Sequence, residues 1–207
     1  MNNSQEAMLY TERPSQLGGR FACLTYHEVG DQTEQYTVTV QQLRIQLAFL
    51  QEGRFVVEGI AGRRNERLVS RHAVVRIAVF TIDDGRECTM AAAELLSKHG
   101  FNAFFFTRDR CLVKLGYIRV SQIQELRRAG FSVGTHGATH RILTQMPTNT
   151  CAADELSESK ESLEDILREP VRYMSAPRWV CEQMKRFLVF VNSWIFQAKR
   201  QADMRAR

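Results

Sequence analysis

Two adjacent carboxylates stand at the end of an apolar segment of this chain. Asp83 and Asp84 follow Ala73–Phe80, a run rich in β-branched residues that predicts a buried strand. Because like charges repel, two neighbouring acids favour a metal ion between them or a shared proton. The strand end therefore predicts a chemical site, and the simpler alternative is an Asp-Asp-Gly turn that ends at Gly85.

Two histidines, His136 and His140, form the second group of residues that could do chemistry. They follow the glycine-bounded segment 130–134, which places them at a strand end and in the loop after it. Four-residue spacing lets both imidazoles bind one ion, and the alternative is a pair of loop histidines without a ligand. One carboxylate and two imidazoles leave coordination positions open, which suits a catalytic divalent metal. The residue types thus predict metal-assisted hydrolysis, in which the spare carboxylate takes a proton from the attacking water.

Both groups resemble the motifs of a known family. Residues 81–85, Thr-Ile-Asp-Asp-Gly, are similar to the Thr-Phe-Asp-Asp-Gly motif of the NodB-like polysaccharide deacetylases, carbohydrate esterase family 4. The segment from His136 to His140 matches that family's His-Ser/Thr-x-x-His motif, and Asn102–Thr107 resembles the strand between the motifs. The resemblance covers roughly residues 20 to 177. It implies an α/β fold, a NodB-like distorted (β/α)7 barrel that here would be incomplete at the C-terminus.

The resemblance also implies a role for each residue. Asp83 would be the general base, and Asp84, His136 and His140 would bind a divalent metal. Zinc is expected, with Co2+ or Ni2+ as alternatives. The implied activity is that of a hydrolase that removes N-acetyl groups from N-acetylated amino-sugar polysaccharides or oligosaccharides.

Two segments depart from the family pattern. Gly137 stands where the family has Ser or Thr, and we expect it to loosen the histidine loop. The third motif matches residues 175–179, where Ser175 replaces an arginine that supports the base. Within that motif, Pro177 and Arg178 are predicted to border the substrate and the developing oxyanion.

The general acid requires a residue from the N-terminal part of the chain, because the family's acid is a C-terminal histidine and none follows His140. Residues 21–29 predict a strand that ends in Tyr26-His27, and some family members that resemble poly-N-acetylglucosamine deacetylases carry such a pair on their first strand. His27 is therefore the candidate acid, and the alternative is a strand-end histidine bonded to a neighbour.

Two other functions stay open. One is a catalytically impaired or truncated deacetylase homologue that binds glycan without turnover, and it follows from Ser175 and from the missing C-terminal motifs. The other keeps the hydrolase but changes the substrate to another C–N bond, such as that of a cyclic ureide.

Strands and helices alternate along the chain, which predicts a largely parallel sheet or barrel. Strands are expected near residues 21–26, 54–58, 74–82, 102–107, 131–135 and 171–175, fewer than a complete barrel needs. Helices are expected from a Thr39 cap to Glu52, from a Thr89 cap to His99, from a Ser121 cap to Ala129, and from Asp154 to Arg168.

Length and composition predict one domain, residues 21–177, after a polar N-terminal segment, residues 1–20. The remainder, residues 178–207, is a basic tail with apolar segments, predicted as a terminal core helix or an amphipathic helix that docks on the barrel or on a membrane surface. The tail carries seven basic and two acidic residues, which equals the whole chain's net charge of +5. Because the rest of the chain is neutral overall, we expect no nucleic-acid partner. The carbohydrate substrate is what the family resemblance implies.

The remaining composition bears on cellular location and redox state. Five cysteines without C-x-x-C spacing predict reduced thiols. The first twenty residues lack the apolar segment of a signal peptide, and no run reaches the length of a transmembrane segment. We therefore expect a cytoplasmic protein, and its oligomeric state stays open.

Overall fold

The computed structural model describes residues 20–31, 36–53, 55–57 and 76–177. Residues 1–19 of the expected polar N-terminal segment lie outside the described residues. The predicted tail, residues 178–207, lies outside them as well. The described part is an α/β fold, as the sequence predicts. Its main sheet contains five parallel strands, namely β1 (Arg20–Tyr26), β4 (Val56–Val57), β5 (Arg76–Ile82), β6 (Phe104–Thr107) and β7 (Ser132–Thr135). A second, two-stranded parallel sheet joins β2 (Glu28–Val29) to β3 (Thr37–Val38), and neither strand was predicted.

Strand β5 is the centre of the main sheet. It pairs with β1 along its whole length, so that Tyr26 lies opposite Ile82. It also pairs with β4 near its start and with β6 at its end, and β6 pairs in turn with β7. Beyond β7, the predicted strand at residues 171–175 appears as a single parallel bridge between Thr135 and Met174. All of these strands are parallel and so direct their carboxyl ends toward the same edge of the sheet, which β1, β5, β6 and β7 reach.

In the part of the chain that the structure describes, four α-helices connect or follow the strands: α1 (Val40–Glu52), α2 (Thr89–Lys98), α3 (Val120–Arg128) and α4 (Asn149–Leu167). Their apolar faces pack on one side of the sheet and bury the main core. The three leucines predicted to face inward from α1 are all buried: Leu43, Leu47 and Leu50. Alternate strand residues point the other way, where Val79, Phe104 and Phe106 form a separate cluster with Tyr173. Asp83 follows Val79 at a spacing of four, so it belongs to this second face.

The helix starts show which capping predictions hold. Thr39 caps α1 as predicted, since its hydroxyl accepts from the Gln42 N–H and the Gln42 side chain accepts from the Thr39 N–H. The predictions for α2 and α3 are wrong, because Thr89 is the first helical residue of α2 and Ser121 lies inside α3. Helix α4 begins five residues before Asp154, the predicted start, after a cap by Thr148.

The cysteines and helices add two limited findings. The four described cysteines are free thiols, in agreement with the prediction, and Cys181 lies outside the described residues. Among the helices that the structure describes, none combines the length and apolar character that crossing a membrane requires.

Candidate active site

The carboxyl edge of the sheet brings together most of the residues that the sequence singled out and one that it did not, Arg108. Each follows the end of a strand or bridge, because parallel strands bring their carboxyl ends to the same edge. These residues are His27 after β1, Asp83 and Asp84 after β5, Arg108 after β6, His136 after β7, and Ser175 after the Met174 bridge. Residues more than a hundred positions apart in the chain thereby become neighbours.

Asp84, His136 and His140 converge on one point. Each offers one ligand atom, and these atoms all lie within 4.8 Å of one another. Asp84 Oδ1 is 3.2 Å from His140 Nε2 and 3.6 Å from His136 Nε2, and the two imidazole centroids are 4.8 Å apart. The three residues predicted as a ligand set are thus brought together with the separation that a shared ion requires.

Two of these three residues have unusual backbone conformations. Asp84 has φ +70° and His140 has φ +65°, both in the left-handed region that residues other than glycine rarely adopt. Such conformations cost of order 1 kcal/mol or more each and cluster at functional sites. Local strain at both residues therefore accompanies their orientation toward His136.

The His136 side chain is held in the tautomer that a metal ligand needs. Its Nδ1 lies 2.8 Å from the carbonyl oxygen of Ser175, to which it donates. The other ring nitrogen, Nε2, therefore keeps its lone pair, and it faces Asp84. Burial lowers the pKa of His136 to about 4, so the imidazole is neutral at neutral pH. A neutral imidazole is the form that binds metal ions.

The donor set fits a divalent cation on its own terms. Asp84 Oδ1 is buried, yet it accepts no hydrogen bond from the described residues. A buried carboxylate oxygen without a donor is unfavourable unless positive charge compensates it. Arg108 Nε, 3.5 Å away, supplies part of that charge, and a bound cation would add to it. The two imidazoles and this oxygen supply three ligands and leave further positions open, which is typical of catalytic sites.

Asp83 occupies a different environment from its neighbour. Its side chain is only 2% exposed, and its N–H donates to the Tyr26 carbonyl at 2.8 Å. Oδ2 accepts a hydrogen bond from the Ser175 hydroxyl at 2.8 Å, whereas the buried Oδ1 has no donor among the described residues. Burial raises the pKa of Asp83 to about 6, despite the opposing effect of the Ser175 hydrogen bond. The sequence places Ser175 where the family has a supporting arginine, and in the structure it is the Ser175 hydroxyl that contacts the Asp83 carboxylate.

His27 lies beside Asp83 because of the strand register. Tyr26 pairs with Ile82, so the next residues of β1 and β5, His27 and Asp83, emerge side by side. After burial and the Ser175 hydrogen bond, the charge of His27 is a further influence that lowers the pKa of Asp83. The half-buried His27 ring also lies 5.6 Å from the Tyr36 ring, measured between centroids.

Gly85 is required by the turn after Asp84. Its φ is +61°, and a Cβ at this position would collide with the hydroxyl of Thr107 on the neighbouring strand β6. No other residue type fits this combination of backbone conformation and close approach. The glycine thus lets the two carboxylates turn tightly over the end of β6.

The structure explains why a glycine occupies position 137, which the sequence did not indicate. Its φ is +78°, and an added Cβ would lie 3.1 Å from Glu155 Oε1 on helix α4. The Gly137 N–H donates to the Thr135 hydroxyl at 2.9 Å. The residue is buried in a bonded loop, so the expectation that Gly137 loosens the histidine loop is not what the structure shows.

Glu155 is a residue of the site that sequence analysis missed. This buried carboxylate accepts from the Thr139 N–H at 2.6 Å and from the Thr139 hydroxyl at 2.9 Å, next to His140. The available signal was a carboxylate beside Leu156 on the buried face of α4, where an acid needs donors. Glu155 fixes the loop that carries both histidines.

Arg108 was also missed. Its Nε lies 3.5 Å from Asp84 Oδ1, and its Nη2 donates to the Tyr117 hydroxyl at 2.7 Å. The signal was a basic residue placed directly after the buried strand Phe104–Thr107. A guanidinium at this position gives the cluster a permanent positive charge.

The predicted substrate and oxyanion region is only partly described. Pro177 is buried, and its Cγ would lie 3.7 Å from a Cβ added to Gly137, so it borders the histidine loop. Arg178 lies outside the described residues, and its predicted role stays a prediction.

Comparisons with known proteins agree with this geometry. The polysaccharide deacetylase family model matches residues 72–182, which is more than half of the chain. A polysaccharide deacetylase from Bacillus cereus is 26% identical, with a TM-score of 0.65 over 82% of this chain and 55% of its own, so the chain spans about half of that protein.

Two further solved structures share the fold at lower identity. IcaB from Ammonifex degensii is 22% identical, with a TM-score of 0.65 over 82% of this chain and 81% of its own. A Streptococcus pyogenes deacetylase in complex with acetate is 16% identical, with a TM-score of 0.66 over 80% of this chain and 77% of its own. No curated protein matches the chain. The family match and the shared fold together identify this chain as a member of the NodB-like polysaccharide deacetylases, carbohydrate esterase family 4.

Proposed function

We propose that this protein is a metal-dependent hydrolase that removes N-acetyl groups from N-acetylated amino-sugar polysaccharides or oligosaccharides. One observation carries the proposal: Asp84, His136 and His140 each place a ligand atom within 4.8 Å of the others, beside the buried Asp83. Membership of the polysaccharide deacetylase family supports the carbohydrate substrate. Zinc is the expected ion, with Co2+ or Ni2+ as alternatives, because imidazole and carboxylate ligands suit all three.

The proposed roles follow the environments of the side chains. Asp84, His136 and His140 would hold the ion, which when bound would polarise the amide carbonyl of the substrate. Asp83 acts as the general base and takes a proton from the attacking water. A pKa of about 6 keeps this carboxyl ionised at neutral pH while leaving it a better base than an exposed aspartate.

His27 is the proposed general acid that protonates the departing amine. Its position next to Asp83, given by the pairing of Tyr26 with Ile82, supports this role. The alternating Val79–Thr81–Asp83 face of β5 leads to the same edge, so base and acid would reach a substrate bound there. Pro177 and Arg178 are proposed to border the substrate.

The test combines metal content with acetate release. Purified protein should bind about one divalent ion per chain, the stoichiometry of a three-ligand mononuclear site, and release acetate from N-acetylglucosamine oligomers. His27→Ala should lower turnover, whereas His99→Ala, at the distant end of α2, should not. Failure to bind any divalent ion at micromolar metal would contradict the proposal. Metal binding without acetate release would instead favour the second function, a homologue that binds glycan without turnover.

A further inference from the structure

Ser175 contacts both the proposed base, Asp83, and one proposed metal ligand, His136. Its hydroxyl donates to Asp83 Oδ2 at 2.8 Å, and its carbonyl oxygen accepts from His136 Nδ1 at 2.8 Å. Its N–H donates to the Thr135 carbonyl at 3.0 Å, which ties the residue to the end of β7. Every hydrogen-bonding group of Ser175 is therefore engaged, and two of the three bonds end on residues with proposed roles in the reaction.

The hydroxyl contact makes the two oxygen atoms of Asp83 unequal. Oδ2 accepts from Ser175, whereas Oδ1 is buried and has no donor within the described part of the chain. A hydrogen bond at one oxygen restricts rotation about the Cβ–Cγ bond and so fixes the direction of the other oxygen. Only Oδ1 then keeps all of its lone pairs free for an incoming proton.

We propose that Ser175 is a positioning residue for the hydrolysis: by holding Asp83 at Oδ2, it makes Oδ1 the atom that receives the proton of the attacking water. The inference rests on the proposed function, in which Asp83 is the base. The proton passes from the water oxygen to Oδ1, and the new O–H bond forms there while the Ser175 O–H bond stays intact.

The two contacts of Ser175 can be separated by mutation. Ser175→Ala removes the hydroxyl but keeps the backbone carbonyl that holds His136, so the proposed metal ligand keeps its partner. Among the described residues, neither oxygen of the buried Asp83 then has a donor, and the carboxylate is free to reorient. Ser175→Thr retains a hydroxyl at the same atom. Ser132→Ala is the matched control, since Ser132 is also buried, on neighbouring β7, and its hydroxyl has no partner among the described residues.

The kinetic test measures kcat and KM for acetate release and the affinity for Zn2+ by titration calorimetry. For Ser175→Ala we expect kcat to fall about 10- to 100-fold, the range expected for a lost hydrogen bond to a charged group. KM and the metal Kd should stay within about threefold, because neither substrate nor ion loses a contact. Ser175→Thr should restore kcat to within about threefold, and Ser132→Ala should leave it unchanged.

A second measurement does not depend on activity. In chelator-treated protein, the infrared difference spectrum between wild type and Asp83→Asn isolates the carboxylate stretching band of Asp83. Ser175→Ala should shift this band because one oxygen loses its hydrogen bond, and Ser132→Ala should not.

An unshifted band in Ser175→Ala, or kcat equal to that of wild type, would overturn the inference. Equal losses of metal affinity and kcat would also do so, because they would indicate a purely structural role. If wild type releases no acetate, the proposed function fails, and the infrared band still decides whether Ser175 holds Asp83.

Discussion

At the scale of single residues, the two neighbouring carboxylates Asp83 and Asp84 lie in different environments. Asp83 is buried and hydrogen-bonded to the Ser175 hydroxyl, and burial raises its pKa to about 6. Asp84 instead faces two imidazoles and the Arg108 guanidinium. Adjacent residues of the same type can do different work when their environments differ, as acid–base pairs in many enzymes do.

This separation predicts opposite phenotypes for two similar substitutions. Asp84→Asn should weaken metal binding at least about tenfold, because a neutral amide replaces the charged ligand. Asp83→Asn should keep the metal and lose turnover, since an amide cannot accept the proton. Calorimetry with Zn2+ and acetate release distinguish the two. Equal metal affinity in wild type and Asp84→Asn would refute the ligand assignment.

The raised pKa of Asp83 predicts a pH-dependent cost to the metal-free fold. The folded protein holds this proton up to a pKa of about 6, whereas the unfolded chain loses it near 3.8. Stability from the protonated form is therefore complete below pH 3.8 and is lost as the pH rises through 6. Asp83→Asn removes this dependence, so its gain over wild type should grow across that window toward about 3 kcal/mol.

Urea unfolding in the presence of a chelator, from about pH 3.5 to pH 7, checks this expectation. Asp165→Asn is the control, since Asp165 is an exposed carboxylate on α4. A stability difference between wild type and Asp83→Asn that stays constant with pH would contradict the prediction.

At the scale of elements, the sequence predicts those strands and helix ends that depend on interactions between residues close together in the chain. The apolar run of residues 74–82 correctly predicted β5, and Thr39 correctly predicted the start of α1. Both features depend on residues within a few positions of one another. The starts of α2 and α3 were wrong because Thr89 is drawn into the buried face of its helix and the Gln122 side chain receives the Arg119 N–H. Tertiary packing overrides a capping preference in such cases.

The parts of the site that sequence missed depend on contacts between distant elements. Glu155 on α4 meets Thr139 in the histidine loop, and Arg108 meets Asp84 across β5 and β6. No spacing rule links these residues, because their proximity arises only when the sheet and α4 pack. The proposed ligand set could be predicted from the sequence because the four-residue histidine spacing and the adjacent aspartates are local patterns.

The turn between β5 and α2 provides a test at this scale. Gly85→Ala combines a left-handed φ with a collision against Thr107, so we expect a loss of about 2–5 kcal/mol in unfolding free energy. Gly100→Ala is the matched control, since Gly100 has φ +68° and no atom of the described residues lies within 4 Å of an added Cβ. It should lose only about 1 kcal/mol, the cost of the backbone conformation alone.

Urea unfolding of both variants in the metal-free state measures the difference between them. If Gly85→Ala and Gly100→Ala lose the same free energy, the close approach of Gly85 to β6 has no energetic weight.

At the scale of the whole molecule, the site connects residues that follow different strands of the sheet. Asp84 follows β5, the two histidines follow β7, and β6 lies between these strands. Glu155 ties the histidine loop to α4, and Ser175 ties the next chain segment to Asp83. An ion held by Asp84, His136 and His140 would therefore act as a cross-link over β6.

This arrangement predicts that metal binding stabilises the fold. Only the folded chain brings the three ligands together, so an ion binds the native state in preference to the unfolded state. At a metal concentration about 100 times the Kd, the gain is about 2.7 kcal/mol, which for a chain of this size raises the melting temperature by about 5–10 °C. Thermal unfolding with Zn2+ and with a chelator measures the shift. Asp84→Asn should reduce it by at least about half, given the tenfold or greater loss of affinity expected for that variant, and His99→Ala should retain it. A wild-type melting temperature that saturating Zn2+ leaves unchanged would show that no ion joins β5 to β7.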